Sequence, residues 1–163
     1  TDRIKETLFN IIQDDVPGAM FLDLFSGSGA IGIEALSRGA KQAYLVEFGK
    51  EPLQCIKANL AKTHLEDQAV VLPVEVTYAV SKLEKQGTTF DIIYADPPYR
   101  SGFEEKLAQL IGQSDIVKED TLVIFESALE TPIDFIDEDV YEIEKVKEYK
   151  TNKHIFLRVK KER

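Results

Sequence analysis

Short apolar segments alternate along this chain with segments whose apolar residues recur at helical spacing. The apolar segments are too short for helices and too continuous for strands with one solvated face, which is typical of strands buried on both sides. This alternation predicts βαβ units around a parallel sheet. The predicted strands are 20–25, 43–46, 69–74, 90–95 and 122–125, and the predicted helices are 2–13, 30–38, one with Pro52 in its first turn, 77–85 and 103–112.

The end of the chain follows a different pattern. Residues 140–146 and 154–159 flank the polar stretch 150–153, which predicts an antiparallel hairpin at one side of the sheet. We therefore expect an α/β fold: a doubly wound, mostly parallel sheet of about seven strands with a C-terminal antiparallel hairpin. The sequence has no repeat and no Gly/Ser-rich linker, so residues 1–163 are predicted to form a single domain. Ligands bind such folds at the carboxyl ends of the strands.

Composition excludes several kinds of site. One cysteine and two histidines among 163 residues exclude an intramolecular disulfide and a cysteine-built zinc site, and we expect no metal. The net charge of −9 is unlike the basic footprint of most nucleic-acid binders. Residues 140–163 are the exception, with eight Lys/Arg against four Glu. Lysines there either contact phosphates or protect a solvated edge strand. With no spanning apolar run and no secretory signal, we expect a cytoplasmic protein without membrane contact.

A glycine-rich turn follows the first predicted strand. Gly27, Gly29 and Gly32 have G-x-G-x-x-G spacing, in which glycines permit a tight turn and close approach of a ligand to the backbone. Asp23, at the end of the strand, would repel the diphosphate of a dinucleotide, whereas its charge suits the sulfonium and ammonium groups of S-adenosylmethionine. The alternative is a purely structural turn in which Asp23 caps the following helix.

Acidic residues also end the next two predicted strands. Glu47 can accept hydrogen bonds from ribose hydroxyls, in either a nicotinamide or an adenosylmethionine site. Phe48 could pack on an adenine ring, and Glu75 could accept the adenine amino group. A solvated glutamate explains either position without a ligand.

The sequence Asp96-Pro97-Pro98-Tyr99 directly follows the fourth predicted strand. The two prolines stiffen the loop and remove two backbone donors, which leaves the Asp96 carboxylate and the Pro97 carbonyl as acceptors. An exocyclic amino group offers two matching donors, and Tyr99 offers a face on which a base can stack. Asp96, Pro97 and Tyr99 are therefore the predicted catalytic residues. The alternative is a rigid turn with a capping Asp96 and a core Tyr99.

These motifs resemble those of known enzymes. Residues 23–32, Glu47 and the segment 96–99 resemble the motifs of class I adenosylmethionine-dependent methyltransferases acting on exocyclic amines. The opening block 1–10 and the block 33–40 resemble the RsmD family, bacterial enzymes that methylate guanine N2 in small-subunit ribosomal RNA. The resemblance covers essentially the whole chain. The family usually has Asp where Glu75 stands, and Tyr-Gly where this chain has Tyr149-Lys150.

The resemblance implies S-adenosylmethionine as cofactor, with Asp23, Phe25, Gly27 and Gly29 near its methionine end and Glu47, Phe48 and Glu75 near its adenosine. It implies a flipped guanine stacked on Tyr99. The implied partner is ribosomal RNA or the small ribosomal subunit, and we expect a monomer. The chain starts at Thr1 inside a predicted helix, so we also expect a fragment that lacks the family's short basic N-terminal segment.

The same motifs also fit other functions. The segment 96–99 is shared with amino-methyltransferases of DNA adenine or cytosine, and a protein amide is another possible acceptor. The glycines also suit an NAD-dependent oxidoreductase, and a non-catalytic ribosome-binding module is a further alternative. We expect structural roles for Cys55 in the core, for His64 at a helix end and for His154 in the last strand.

Overall fold

The computed structural model describes residues 2–98 and 102–161, which form five α-helices, a single 3-10 turn and seven strands. The helices are α1 (Asp2–Ile11), α2 (Ala30–Ser37), α3 (Lys50–Thr63), α4 (Val76–Lys85) and α5 (Phe103–Gln113), with the 3-10 turn at Glu66–Gln68. The strands are β1 (Met20–Leu24), β2 (Gln42–Val46), β3 (Ala69–Leu72), β4 (Ile92–Ala95), β5 (Leu122–Ala128), β6 (Tyr141–Glu148) and β7 (Asn152–Val159).

All seven strands join one sheet in the order β3-β2-β1-β4-β5-β7-β6. The first five strands of that order run parallel, and β7 pairs antiparallel with both β5 and β6. The predicted fold class is therefore confirmed, including the C-terminal antiparallel hairpin. The chain order reverses between β1 and β4, which is where ligands bind in sheets of this kind.

Helices cover both faces of the sheet. One buried cluster joins α1, α2 and α3 to side chains such as Phe21 and Ile92, and a second joins α4 and α5 to side chains such as Leu22 and Ile93. Successive strand residues point to opposite faces, so each central strand contributes to both clusters. This two-sided burial explains why these strands are continuously apolar in the sequence.

Several strand limits differ from the predictions. β3 ends at Leu72, so Glu75 does not end this strand but directly precedes α4, and the two strands of the hairpin extend to Glu148 and from Asn152. β5 continues past Phe125 to Ala128, because residues 126–128 pair with the beginning of β7. Phe90 precedes β4 instead of starting it; it is buried, and its carbonyl accepts a hydrogen bond from Thr121 Oγ1 at 2.8 Å. Long-range pairing with β7 thus extends β5 beyond its predicted end.

The expectation for Cys55 is wrong, because this side chain is exposed. Its neighbour Ile56 and Leu60 form the buried stripe of α3. A step of one residue turns a helix by about 100°, which carries Cys55 off that stripe. His64 does follow the end of α3, as predicted, with a left-handed backbone conformation.

None of the helices in residues 2–98 and 102–161 has the length and apolar character needed to cross a bilayer.

Candidate active site

The predicted site residues follow the carboxyl ends of adjacent parallel strands. Within the sheet, Asp23 on β1 is aligned with Leu45 on β2 and with Tyr94 on β4. The glycine turn after β1, Glu47 after β2 and Asp96 after β4 therefore lie along one edge of the sheet. Strand order, and not proximity along the chain, brings these three loops together.

The turn after β1 depends on left-handed backbone conformations. Gly27 and Gly29 have φ angles of 59° and 85°, which glycine adopts without steric cost. Phe25, with φ of 61°, adopts the same conformation despite its side chain, and such strain is concentrated at functional sites. A Cβ atom added to Gly27 would meet no atom within 4 Å, so this backbone faces open space where a ligand can approach.

The buried Asp23 carboxylate lies beneath this turn. Its Oδ2 accepts hydrogen bonds from Ser26 Oγ at 2.8 Å and from the Gly32 amide at 3.1 Å. Gly32 is the third residue of α2, so Asp23 does satisfy a free amide at the start of that helix, as the structural alternative predicts. Burial is the main reason that the pKa of Asp23 is raised to about 7, and the charges of Asp96 and Glu47 raise it further.

Gly32 lets α2 approach the sheet closely. A Cβ atom at this position would lie 2.1 Å from Leu45 Cδ2 and 3.3 Å from Asp23 Oδ2. We therefore expect Gly32→Val to lower the free energy of unfolding by about 3 kcal/mol, because overpacking a closed core forces side chains out of their rotamers. Urea unfolding measures the loss. Ser37→Ala at the exposed end of α2 is the matched control, and equal midpoints for the two variants would contradict this account of Gly32.

Glu47 organises the backbone on the other side of the turn. Its Oε1 accepts the Gly27 amide at 2.7 Å, and its Oε2 accepts the amides of Phe48 at 3.1 Å and Gly49 at 2.9 Å. A carboxylate has about four acceptor positions, so these three bonds leave room for one more donor. Glu47 thus supports the turn and can still accept a hydroxyl group.

A cleft of about 550 Å³ extends from Glu47 to the start of α4 and to α5. Its walls include Phe25, Phe48, Glu75 and Pro98, over an apolar floor that contains Leu107. Phe48 is 72% exposed, so its ring is accessible to a flat ligand. The exposed Glu75 directly precedes α4 at the rim.

A second cleft, of about 580 Å³, lies on the other side of Phe25, which lines both. Asp23, Asp96 and Glu126 face this second cleft. Asp96 is exposed to it, whereas Pro97 is buried. The pKa of Asp96 is raised to about 7, mainly because the carboxyl group loses solvation and also because the charge of Glu126 is nearby. Among the predicted cofactor-binding residues, Phe25, Glu47, Phe48 and Glu75 line the first cleft, and Asp23 and Phe25 line the second. Gly27 and Gly29 line neither of these clefts.

Sequence reasoning missed a hydrogen-bonded group in the second cleft. The Glu126 carboxylate accepts hydrogen bonds from Tyr94 Oη and Asn152 Nδ2 and lies 3.0 Å from His154 Nε2. The other ring nitrogen of His154 lies 2.8 Å from Tyr149 Oη. Glu126 directly follows the predicted strand 122–125, and this position at the carboxyl edge of the sheet is the signal that could have identified it.

Tyr99 lies outside the described residues, so its predicted role stays a prediction. Within those residues, no group of three or more His, Cys, Asp or Glu side chains is arranged to hold a metal ion.

The chain matches known proteins along most of its length. Residues 1–160 match the family model described as conserved hypothetical protein 95. The chain is 38% identical over 130 residues to ribosomal RNA small subunit methyltransferase D of Escherichia coli (strain K12), which covers 80% of this chain and 64% of that protein. The same-named protein of Haemophilus influenzae is 30% identical over 132 residues, covering 81% of this chain and 68% of that protein.

A solved structure shares the fold. A conserved hypothetical protein from Streptococcus pyogenes superimposes with a TM-score of 0.85 at 27% sequence identity, covering 96% of this chain and 95% of that one. The chain therefore belongs to the RsmD family, whose matching model is described as conserved hypothetical protein 95.

Proposed function

We propose that this protein transfers a methyl group from S-adenosylmethionine to the N2 amino group of a guanine in small-subunit ribosomal RNA. The observation that carries the proposal is the position of Asp96, which directly follows β4 and lines the cleft that also contains the buried Asp23. Membership of the RsmD family supports the ribosomal substrate, because relatives are named as small subunit methyltransferases.

The residues present suit this cofactor. A buried carboxylate with a raised pKa, such as Asp23, favours a cationic neighbour, and an ammonium group would relieve its loss of solvation. The open backbone at Gly27 admits the methionine end, and the free acceptor position of Glu47 admits a ribose hydroxyl. Phe48 and Glu75 line the cleft of about 550 Å³ beside Glu47, where a purine ring and its amino group would lie.

The same geometry disfavours the oxidoreductase alternative. Two amides at the glycine turn that a diphosphate could use are already engaged: Gly27 donates to Glu47, and Gly32 donates to Asp23. Two carboxylates at the turn also repel a diphosphate.

In the proposed mechanism, bound S-adenosylmethionine would supply an electrophilic methyl group, whose S–C bond breaks as the N–C bond forms, so that S-adenosylhomocysteine leaves. The protein positions the amine. Asp96 and the Pro97 carbonyl accept the two hydrogens of the amino group, which directs the nitrogen lone pair away from them. Positioning of this kind can contribute about 7–11 kcal/mol to a reaction barrier. Asp96 also stabilises the positive charge that develops on nitrogen and can accept the released proton. Extruding the base from its stack costs a few kcal/mol.

Label transfer tests the proposal. The protein is incubated with S-adenosylmethionine tritiated on the methyl group and with small ribosomal subunits that lack the modification, and the RNA is digested to nucleosides. We expect label in N2-methylguanosine, and sequencing of the RNA locates the base. Fully modified subunits are the control and should remain unlabelled.

The alternatives predict other products. Label in N6-methyladenine of DNA, or in protein, would overturn the proposed substrate and keep the methyltransferase chemistry. Calorimetric binding of NAD without binding of S-adenosylhomocysteine would overturn both.

A further inference from the structure

Glu126 stands beside Asp96 at the carboxyl edge of the sheet. Ala95 on β4 is aligned with Phe125 on β5, so the next residues of these parallel strands, Asp96 and Glu126, follow side by side. Both side chains line the second cleft, and the side chain of Glu126 is 25% exposed there. Glu126 is therefore placed to contact a base whose amino group is held at Asp96.

Three side-chain donors hold the Glu126 carboxylate ionised. Tyr94 Oη and His154 Nε2 donate to its Oε1, and Asn152 Nδ2 donates to Oε2 at 3.0 Å. These bonds, with those from His154 and Tyr94 the strongest, outweigh partial burial and lower the pKa of Glu126. A carboxylate has about four acceptor positions, so in the described part of the chain one position on Oε2 remains open.

The side chain of His154 fixes this arrangement. The ring is buried, and Tyr149 Oη lies 2.8 Å from its Nδ1. When the tyrosine hydroxyl donates to Nδ1, the ring proton resides on Nε2 and points at Glu126. Asn152 and His154 are on β7, so the antiparallel strand orients a carboxylate that belongs to the parallel part of the sheet.

A second fixed acceptor beside Asp96 discriminates between bases. Guanine presents two adjacent donors, the N2 amino group and N1–H. Adenine and cytosine each present an amino group next to an unprotonated ring nitrogen, which is an acceptor. Two neighbouring acceptors therefore match guanine, and they place a carboxylate against a lone pair in the other two bases.

We infer that Glu126 accepts N1–H of the target guanine and is the residue that selects guanine among amino-bearing bases. This inference rests on the proposed function and adds the residue that reads the base. Asp96 and Pro97 then hold N2, while Glu126 holds the neighbouring N1–H. The pair fixes the orientation of the base as well as its identity.

The test compares two bases at the mapped target position of small-subunit RNA assembled by splinted ligation. One RNA carries guanine; the other carries 2,6-diaminopurine, which keeps the 2-amino group and has an unprotonated N1. We expect the wild-type protein to prefer guanine in kcat/KM by about tenfold to a hundredfold, as for loss of one good base contact. Use of both bases within twofold would overturn the inference.

Variants assign the preference to Glu126. In Glu126→Gln the amide can donate to an unprotonated N1, and in Glu126→Ala the donors Asn152 and His154 are left facing it. Both variants should lower the guanine preference at least about fivefold, even where total activity falls. Circular dichroism checks their folding. Glu144→Gln, which removes a charge from the exposed edge strand β6, should keep the preference.

The outcomes separate the two proposals. An unchanged preference in a folded Glu126 variant would overturn the role of Glu126 and leave guanine methylation intact. Absence of N2-methylguanosine from every RNA would overturn the proposed function, and the inference with it.

Discussion

Asp96→Ala is expected to reduce kcat for methyl transfer by about 10²–10³-fold, the range seen when one preorganised group is removed from a transition state. The carboxylate faces the cleft, and it is the acceptor proposed to orient the amine and stabilise its positive charge. Cofactor affinity should change little, because the contacts proposed for the cofactor come from the turn after β1 and from Glu47. Single-turnover transfer and calorimetry with S-adenosylhomocysteine measure the two effects separately.

Two variants refine this prediction. Asp96→Asn retains one acceptor oxygen, so it should keep more activity than Asp96→Ala. Asp139→Ala, in the exposed loop before β6, removes a carboxylate of the same type outside the cleft and should leave kcat unchanged. Turnover of Asp96→Ala close to that of the wild type would remove Asp96 from the mechanism.

Asp23→Asn is expected to stabilise the ligand-free protein while weakening cofactor binding about a hundredfold. The folded-state pKa of Asp23 is raised from 3.8 to about 7. Between these two pH values the folded protein holds a proton on Asp23 that the unfolded chain releases. The contribution of Asp23 to the free energy of unfolding is therefore fully present below about pH 4 and is lost as the pH rises to about 7. Above that window the buried charge costs roughly 4 kcal/mol.

Asparagine removes the charge but buries an amide donor, which costs about 1–3 kcal/mol. The net gain should be about 2 kcal/mol at pH 8, roughly a 5 °C rise in Tm. It should reverse to a loss of about 1–2 kcal/mol near pH 4, where the charge penalty has gone and the cost of the buried amide remains. Loss of a charge-assisted contact to an ammonium group accounts for the weaker binding of S-adenosylhomocysteine. Thermal unfolding across pH and calorimetry are the measurements.

Asp91→Asn is the matched control. Asp91 accepts the Met20 amide at 2.8 Å and pairs with Lys118 at 2.7 Å, at the opposite edge of the sheet from the clefts. Its pKa is lowered despite partial burial, because of the hydrogen bonds and the charge of Lys118. This variant should lose stability at neutral pH and keep its affinity for S-adenosylhomocysteine. A fall in the Tm of Asp23→Asn at pH 8 would contradict the electrostatic account of Asp23.

Local spacing was sufficient for the features that depend on one segment at a time. The alternation of apolar strands and amphipathic helices predicted the doubly wound sheet. A helix buried on one face repeats its apolar residues at helical spacing, whereas a strand buried on both faces is continuously apolar. The glycine spacing likewise predicted the turn after β1, where Gly27 and Gly29 adopt left-handed conformations that other residues avoid. The comparisons confirm the family that these motifs indicated.

The sequence by itself thus determined the fold class, the glycine turn and the strand ends at which to look for a site. Only the tertiary structure decided that Glu126 and His154, 28 residues apart, meet beside Asp96, because that contact requires β7 to insert between β5 and β6. The order of strands across a sheet is set by the combined packing of both faces. No local period records that order, so only the folded protein shows Glu126 held as an acceptor by donors on β7.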